Sequence, residues 1–354
     1  MKARRPRPPI EPIQWTRSGI FLLDQRLLPS KERYVRIRSL KEAVWAIKEM
    51  VVRGAPAIGV TAALALALEA RKQRVSGGKF LSVFAGWSRT LGKSRPTAVN
   101  LRNALDYMQA AARTLVNQNG MPVARGLEHA ALKYLEDDLA ANYALNCHGV
   151  ALVKKLSRGQ GPVNILTICN TGSLATSGFG TALGVIQEAF RRGRRVHVYA
   201  CETRPWLQGS RLTTWELKKS GISHTLIADG AAAFLMKRTG VDLVITGADR
   251  ITRQGDVANK IGTYALAVLA RQHGVPFYVA APMTTFDPSL NSGDDITIEE
   301  RKPEELTFLR GVPLAPAKTK AWNPVFDVTP ASLVRAYVTE KGILKAGDIA
   351  GLMA

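Results

Sequence analysis

Two stretches decide the fold class of this chain: Val163-Asn-Ile-Leu-Thr-Ile-Cys169 and Val241-Asp-Leu-Val-Ile-Thr-Gly-Ala-Asp249. Both are rich in aliphatic and β-branched residues but lack strict alternation of apolar and polar positions, which is typical of strands covered on both faces. Similar runs at 196–202, 224–229 and 276–281 alternate with helical patterns at 176–191, 212–220, 230–239 and 259–273. This alternation predicts a Rossmann-like, three-layer α/β domain with a parallel sheet.

The first part of the chain has a different pattern. After a strand-like region at 13–23, helical periodicity runs through 40–52, 57–72 and 98–117, with turn-rich stretches at 76–78 and 92–96. A long helical pattern at 124–158 leads into the second part. A chain of 354 residues exceeds the size at which one core keeps growing. We therefore predict a mostly helical domain at 1–125 with a short strand region, and a Rossmann-like α/β domain at 126–354 that begins with a long linking helix.

Composition narrows the class of protein. The N-terminus is basic without an apolar segment behind it, so it is not a secretory signal. The longest uncharged stretch, 54–68, is too short to span a bilayer and predicts a buried helix. The three cysteines suit a reducing compartment, here the cytoplasm, and their spacing supports no zinc site. We assign Cys147 and Cys201 to the core.

The net charge of +21 is the one unusual bulk property. Its basic residues are spread along the chain, and the clusters at 4–7 and 191–195 lack interleaved aromatic residues. Nucleic-acid binding is therefore the weaker alternative, and we expect no nucleic-acid partner and no membrane. A positive field that attracts small phosphorylated anions explains the charge more simply.

Chemically capable side chains follow four of the predicted strands: Cys169, Glu202, Asp229 and Asp249. In an open parallel sheet, ligands bind beyond the carboxyl ends of the strands, so these four residues predict a site. Simpler roles are also open for each. Asp229 and Asp249 could be helix N-caps, Glu202 could pair with Arg204, and Cys169 could be a small core residue.

Three loops are candidates for phosphate binding. Asn170-Thr-Gly-Ser173 follows the first predicted strand and opens toward a helix, while Arg53 and Arg95 each lie just before a proline at a predicted helix start. An NAD-dependent dehydrogenase is an alternative of another class, because Gly178-Phe-Gly-Thr-Ala-Leu-Gly184 resembles a dinucleotide fingerprint. Its last glycine comes one residue late, however, and the glycines begin nine residues after the strand.

Five segments, taken together and in order, resemble the methylthioribose-1-phosphate isomerase family. They are Arg53-Gly-Ala-Pro-Ala-Ile-Gly59, Arg95-Pro-Thr-Ala-Val-Asn100, Cys169-Asn-Thr-Gly-Ser-Leu-Ala-Thr176, Glu202-Thr-Arg-Pro-Trp-Leu-Gln-Gly209 with Arg211-Leu-Thr-Thr-Trp-Glu216, and Gly247-Ala-Asp-Arg250 with Gly255-Asp-Val-Ala-Asn-Lys-Ile-Gly-Thr263. The resemblance covers roughly residues 35–290.

The resemblance implies a homodimeric enzyme of methionine salvage that uses neither a metal nor a nucleotide cofactor. Cys169 and Asp249 would carry the chemistry, converting 5-methylthioribose 1-phosphate to 5-methylthioribulose 1-phosphate. The implied substrate-binding residues are Arg53, Gly54, Ala55, Arg95, Gln208, Asn259 and Lys260.

Alternatives within the same superfamily are an isomerase of 5-deoxyribose 1-phosphate or ribose 1,5-bisphosphate, and a non-catalytic regulatory subunit of a translation-initiation exchange factor. Retention of Cys169 and Asp249 argues against the regulatory subunit.

Overall fold

The computed structural model describes residues 6–117, 122–157, 161–309 and 311–352. The chain divides into two compact units, Met1–Tyr143 with Gly172–Gly180, and Ala144–Thr171 with Thr181–Ala354. The predicted domain boundary between residues 125 and 126 stays a prediction, because compactness alone does not show which segments fold independently. Arg158 of the predicted linking helix, and Arg4 and Arg5 of the N-terminal basic cluster, lie outside the described residues.

The first unit is mostly helical, as predicted, with a small antiparallel sheet of order β1-β2-β3. Its strands are β1 (Ile13–Thr16), β2 (Gly19–Leu23) and β3 (Tyr34–Ile37). Its helices are α1 (Leu40–Lys48), α2 (Ala55–Ala70), α3 (Gly77–Gly92) and α4 (Val99–Asn117), and α5 (Val123–Leu156) begins here and ends in the second unit.

Helix α2 forms the centre of the first unit, in agreement with the buried helix predicted from the uncharged stretch. It is apolar on every side, which only a helix surrounded by other elements can be. Gly59 allows α4 to approach closely, since a Cβ there would lie 2.7 Å from the Asn100 carbonyl oxygen. Helix α3 was not predicted, because Gly77 and Gly78 indicate a turn whereas they are its first residues.

The second unit is built on a seven-stranded sheet of order β15-β14-β10-β7-β4-β5-β6, parallel except for β15. The strands of this unit are, in chain order, β4 (Val163–Thr167), β5 (Val196–Cys201), β6 (His224–Ile227), β7 (Leu243–Thr246), β8 (Arg250–Ile251), β9 (Val257–Lys260), β10 (Phe277–Ala280), β11 (Phe308–Leu309), β12 (Val312–Pro313), β13 (Phe326–Thr329), β14 (Ala336–Thr339) and β15 (Gly342–Leu344). The helices are α6 (Ala182–Arg191), α7 (Thr214–Lys219), α8 (Ala232–Arg238), α9 (Thr263–Gln272), α10 (Glu304–Thr307) and α11 (Ala346–Leu352).

Both faces of this sheet are covered, which confirms the three-layer prediction. Ile165 belongs to a core cluster with residues of α5 and α6, whereas its neighbour Leu166 belongs to a cluster with residues of α8 and α9. Successive strand residues point to opposite faces, so each face of the sheet needs its own helical layer. This is why the strands lack polar alternation.

A second sheet of the unit, of order β13-β9-β8, was not predicted. The helical pattern at 259–273 was expected to begin with Asn259 and Lys260, but both residues lie on β9. Gly262 separates this strand from α9 with a left-handed backbone, φ +100°, which glycine adopts without a steric penalty. The two residues are therefore held by a sheet and not by a helix terminus.

Candidate active site

The four predicted strand-end residues all lie in the loops just beyond the carboxyl ends of β4, β5, β6 and β7. Across the sheet their order is Asp229, Glu202, Cys169 and Asp249, because β4 lies between β5 and β7. This is the edge at which an open parallel sheet binds its ligands.

Cys169 occupies a constrained position at this edge. Its φ of +64° lies in the left-handed region, which is uncommon for a residue other than glycine. Its N–H donates to Thr203 Oγ1 at 2.9 Å, and its carbonyl accepts from Thr213 Oγ1 at 2.6 Å. The side chain is half-buried, so Cys169 is not the fully buried core residue of the simpler interpretation.

Close contacts bring two other loops beside Cys169. A Cβ on Gly247 would lie 2.8 Å from Thr171 Cγ2, and a Cβ on Gly262 would lie 2.9 Å from Ile168 Cδ1. The first contact joins the loop that carries Asp249 to the loop that carries Cys169. The second joins the end of β9 to the end of β4. Within this unit, the residues expected to carry the chemistry are thus collected around one strand end.

Asp249 is held by the small sheet. Its N–H donates to the Ala258 carbonyl at 2.9 Å, and the next residue begins β8. No helix follows directly, so the N-cap alternative for Asp249 is wrong. The side chain is half-buried.

Asn259 and Lys260 are both buried on β9, 3% and 5% exposed. Asn259 Nδ2 donates to Thr263 Oγ1 at 3.0 Å. The Lys260 ammonium donates to the Val325 carbonyl at 2.9 Å and lies 5.0 Å from the centre of the Phe326 ring. The ammonium of Lys260 is therefore a buried positive charge beside Asn259.

Asp327 of β13 supports this arrangement from the neighbouring strand, where it pairs with Asn259. Its carboxylate accepts the N–H of Gly262 at 2.7 Å and that of Tyr264 at 3.1 Å. Burial raises the pKa of Asp327 to about 6, although these hydrogen bonds and the charge of Lys260 act in the opposite direction.

Asp229 organises the loop after β5. Its carboxylate accepts the N–H of Thr203 at 2.8 Å and that of Arg204 at 2.7 Å. The Arg204 guanidinium donates to the carbonyls of Pro205 and Leu306. Asp229 thus shapes a loop that bonds to Cys169, a role that neither the N-cap nor the ligand interpretation anticipated.

Gln208 ends this loop and is 4% exposed. Its Oε1 is buried and has no hydrogen-bond partner among the described residues. Buried polar atoms are nearly always hydrogen-bonded, so an orphaned one calls for an explanation. A bound substrate would provide the missing donor.

The remaining predicted site residues belong to the first unit. Gly54 has φ +97°, and a Cβ there would lie 2.5 Å from Cα and the carbonyl oxygen of Ala175, so only glycine fits. Ala55 is the first residue of α2, and Arg53 before it is 7% exposed. Arg95 is half-buried in the loop before α4. Within the first unit, Gly54 therefore packs directly against Ala175.

The dinucleotide fingerprint does not form a phosphate-binding turn. The N–H groups of Gly178 and Gly180 both donate to Thr176 Oγ1, at 3.2 and 2.9 Å. The helix expected to open directly after the 170–173 loop begins later, at Ala182, and the Leu183 N–H donates to Thr171 Oγ1. These donors are already used within the chain.

The other two cysteines differ from each other. Cys201 is fully buried, as predicted, and burial raises the pKa of its thiol to about 12. Cys147 is only half-buried, with its sulfur 2.9 Å from Arg192 Nη2. Within the described part of the chain, no three His, Cys, Asp or Glu residues are grouped so as to hold a metal ion. None of the helices described there is long and apolar enough to cross a bilayer.

A cavity of about 660 Å³ lies elsewhere in the second unit. Its lining includes Arg271, Pro276, Tyr278, Leu333 and Arg335. These residues precede β10 and β14 or lie at their start, so the cavity opens at the amino ends of the strands. None of the predicted site residues lines it, and the four predicted strand-end residues lie at the opposite edge of the sheet.

Comparison with known proteins agrees with the geometry. The model of the Initiation factor 2 subunit family matches residues 51–346. A methylthioribose-1-phosphate isomerase of Azotobacter vinelandii is 51% identical over 348 residues, which are 98% of this chain and 96% of the relative. That of Thermotoga neapolitana is 49% identical over 94% of each chain. The chain belongs to the methylthioribose-1-phosphate isomerase family.

Solved structures place the methylthioribose-1-phosphate isomerase family within a wider fold group. The 5-methylthioribose 1-phosphate isomerase of Pyrococcus horikoshii is 39% identical, with a TM-score of 0.86, and 96% of this chain and 94% of that one are covered. A structure described as the delta subunit of translation initiation factor eIF-2B from A. fulgidus is 41% identical, with a TM-score of 0.80 over 94% and 95%. Because one fold carries both names, function has to be argued from the site.

The sequence did not predict the residues that hold the main chain of Cys169, directly or through Asn170. Thr203, Thr213 and Glu216 lie in segments that resemble the methylthioribose-1-phosphate isomerase family, but no role could be assigned to them from spacing. Their contacts depend on loops from two strands, which a single sequence does not bring together.

Proposed function

We propose that this chain converts 5-methylthioribose 1-phosphate to 5-methylthioribulose 1-phosphate, an aldose–ketose isomerisation of methionine salvage. The observation that carries the proposal is the grouping of Cys169, Asp249 and the Asn259–Lys260 pair at one sheet edge. The high identity with methylthioribose-1-phosphate isomerases over nearly the whole chain supports it.

The chemistry follows from the substrate. A phosphate ester at C1 blocks the free aldehyde, so the sugar ring must open with the phosphate attached. Asp249 is the acid that donates a proton to the ring oxygen as its bond to C1 breaks. Hydrogen then moves from C2 to C1, as a proton through an enolate or as a hydride. The C2 hydroxyl loses its proton as C2 becomes the ketone, and the Asp249 carboxylate takes up a proton, which restores the acid. Cys169 relays a proton or stabilises the charge that develops beside it.

Binding is assigned to charged and polar groups that the resemblance implies. Arginine guanidinium groups suit a phosphate because they offer two parallel donors, and the buried Lys260 ammonium adds positive charge. Gln208 Oε1 would accept from a sugar hydroxyl. The full proposed set is Arg53, Gly54, Ala55, Arg95, Gln208, Asn259 and Lys260.

Substrate choice is tested by one side-by-side assay. Purified protein is given 5-methylthioribose 1-phosphate, 5-deoxyribose 1-phosphate and ribose 1,5-bisphosphate, without added metal or nucleotide. We expect the highest kcat/KM for the methylthio sugar. Turnover of none of the three would favour the non-catalytic role suggested by the eIF-2B delta likeness.

We also propose that the enzyme works as a homodimer in the cytoplasm and binds no nucleic acid. The dimer is proposed from the family resemblance. Sedimentation of the purified protein, alone and with duplex or single-stranded RNA, tests the partners directly. A monomeric protein contradicts the proposed dimer. An RNA complex that persists at physiological salt contradicts the proposal that the enzyme binds no nucleic acid.

Asp249→Asn is the sharpest test of the mechanism. Asparagine keeps the shape of the side chain and leaves the main-chain bond to Ala258 in place, but it has no proton to transfer. We expect kcat to fall by ~10²–10⁴-fold, the usual contribution of general acid–base catalysis. Steady-state kinetics and thermal melting on the same preparation measure it. A wild-type Tm with kcat reduced by less than about tenfold contradicts the role.

A further inference from the structure

The main chain of Cys169 is held by side chains that have no assigned role in the reaction. We propose that Thr213 is a positioning residue, which keeps Cys169 in the left-handed backbone conformation that catalysis requires. This inference rests on the proposed function, because it assumes that Cys169 takes part in the reaction.

The backbone of Cys169 needs such support. A left-handed conformation crowds the Cβ of an L-residue, so it persists only where the surroundings over-determine it. Here two hydroxyls engage both main-chain polar groups, Thr203 at the N–H and Thr213 at the carbonyl. Both threonines are buried, 0% and 1% exposed. With water excluded, each of these hydrogen bonds is costly to lose.

Thr213 is itself placed by an unusual turn. It ends the π-helical segment Gly209–Thr213, a form that occurs mostly as single turns and frequently at functional sites. The turn packs tightly on the end of β5, since a Cβ on Gly209 would lie 1.7 Å from the Cys201 carbonyl oxygen. The extra residue of the π turn thus sets where the Thr213 hydroxyl lies.

A buried glutamate supports Thr213 through the side-chain amide of Asn170. Glu216 is fully buried, and its Oε1 accepts from Asn170 Nδ2 at 2.8 Å. The same Asn170 nitrogen lies 3.4 Å from Thr213 Oγ1. Because the Thr213 hydroxyl gives its one proton to the Cys169 carbonyl, its lone pairs are left to face the amide donor. The Glu216 oxygen therefore orients the amide, the amide orients the hydroxyl, and the hydroxyl fixes Cys169.

Thr213→Val tests the proposal, because valine keeps the branched shape and removes only the hydroxyl. We expect kcat with 5-methylthioribose 1-phosphate to fall by about tenfold or more with KM changed less than about threefold, since misplacing a reacting group is costly even at constant binding. Thr213→Ser restores the hydroxyl and should recover most of kcat. The matched control is Thr214→Val, one residue along, whose Oγ1 donates to the Ser210 carbonyl at 2.5 Å.

A second readout is independent of the substrate. The rate of Cys169 alkylation by iodoacetamide, followed by mass spectrometry of its peptide, should change in Thr213→Val and return in Thr213→Ser. Cys147 in the same digest is the internal reference. If Thr213→Val does not fold, Thr213→Ala carries the same two measurements.

The outcomes separate this inference from the proposed function. Wild-type turnover together with unchanged kcat and unchanged Cys169 alkylation in Thr213→Val overturns the positioning role alone. Equal losses in Thr213→Val and Thr213→Ser also overturn it, because the hydroxyl would then not matter. Absence of wild-type turnover overturns the proposed function, while the alkylation rates still report whether Thr213 fixes Cys169.

Discussion

At the scale of single residues, Gln208 has a buried acceptor that no donor among the described residues reaches. Its Oε1 has no partner among the described residues although the residue is 4% exposed. Such an atom costs ~1–3 kcal/mol of desolvation, which a ligand hydroxyl can recover. If Gln208 binds the substrate as proposed, the cost falls on the unliganded protein and is recovered on binding.

Gln208→Leu should therefore separate stability from binding. Leucine fills a similar volume and removes the unpaired acceptor, so we expect an unchanged or higher Tm together with a KM raised by about tenfold. Thermal melting and steady-state kinetics measure the two effects on one preparation. A lower Tm with unchanged KM would show that Oε1 serves the fold and not the substrate.

The residues proposed to carry the chemistry could be recognised in the sequence only where they follow a strand. Cys169 and Asp249 come directly after buried runs, and sheet geometry aims those ends at the ligand edge. Thr213 follows no strand. Its role depends on a π turn whose extra residue leaves no trace in the apolar pattern.

At the scale of secondary-structure elements, strands covered on both faces were predictable from their apolar runs, and the strands of the small sheet were not. Strands β4, β5, β7 and β10 are rich in aliphatic residues because two helical layers cover them. Strand β8 has only two residues, and strand β9, Val257–Lys260, ends in Asn259 and Lys260, so neither reads as an aliphatic run. The sheet that holds Asn259 and Lys260 was missed for this reason.

The junction of β13 and α9 has a pH dependence that Asp327 sets. Its pKa is raised from 3.8 to about 6, so between these values the folded protein binds a proton that the unfolded chain does not. The contribution of Asp327 to stability is therefore complete below pH 4 and is lost as pH rises through about 6, by at most about 3 kcal/mol.

Asp327→Asn removes this titration. We expect the free energy of unfolding of the variant to rise relative to wild type between about pH 4 and pH 7, measured by urea titration at several pH values. The pairing of Asp327 with Asn259 means that KM should be checked in parallel. Parallel pH profiles of the two proteins would refute the assignment.

At the scale of the whole molecule, the formal charge of +21 acts on every approaching anion. A phosphorylated sugar feels this field over ~30 Å at 0.01 M ionic strength but only ~10 Å at 0.1 M. We expect kcat/KM to fall severalfold over this range with kcat nearly constant, because the field raises the local substrate concentration without acting on the bound complex. Initial rates in increasing sodium chloride measure it. A kcat/KM that does not change with salt concentration would show that the net charge does not assist substrate capture.

The segment Gly172–Gly180 belongs to the first unit although the residues on both sides belong to the second. A ribosome that synthesises this protein must therefore deliver residues 144–171 before the last piece of the first unit emerges. Gly54 packs against Ala175, so this contact can form only after residue 175 has been made. The first unit therefore stays incomplete until about half of the chain has been made. A fragment that stops at Tyr143 lacks the segment Gly172–Gly180, which belongs to the same compact unit.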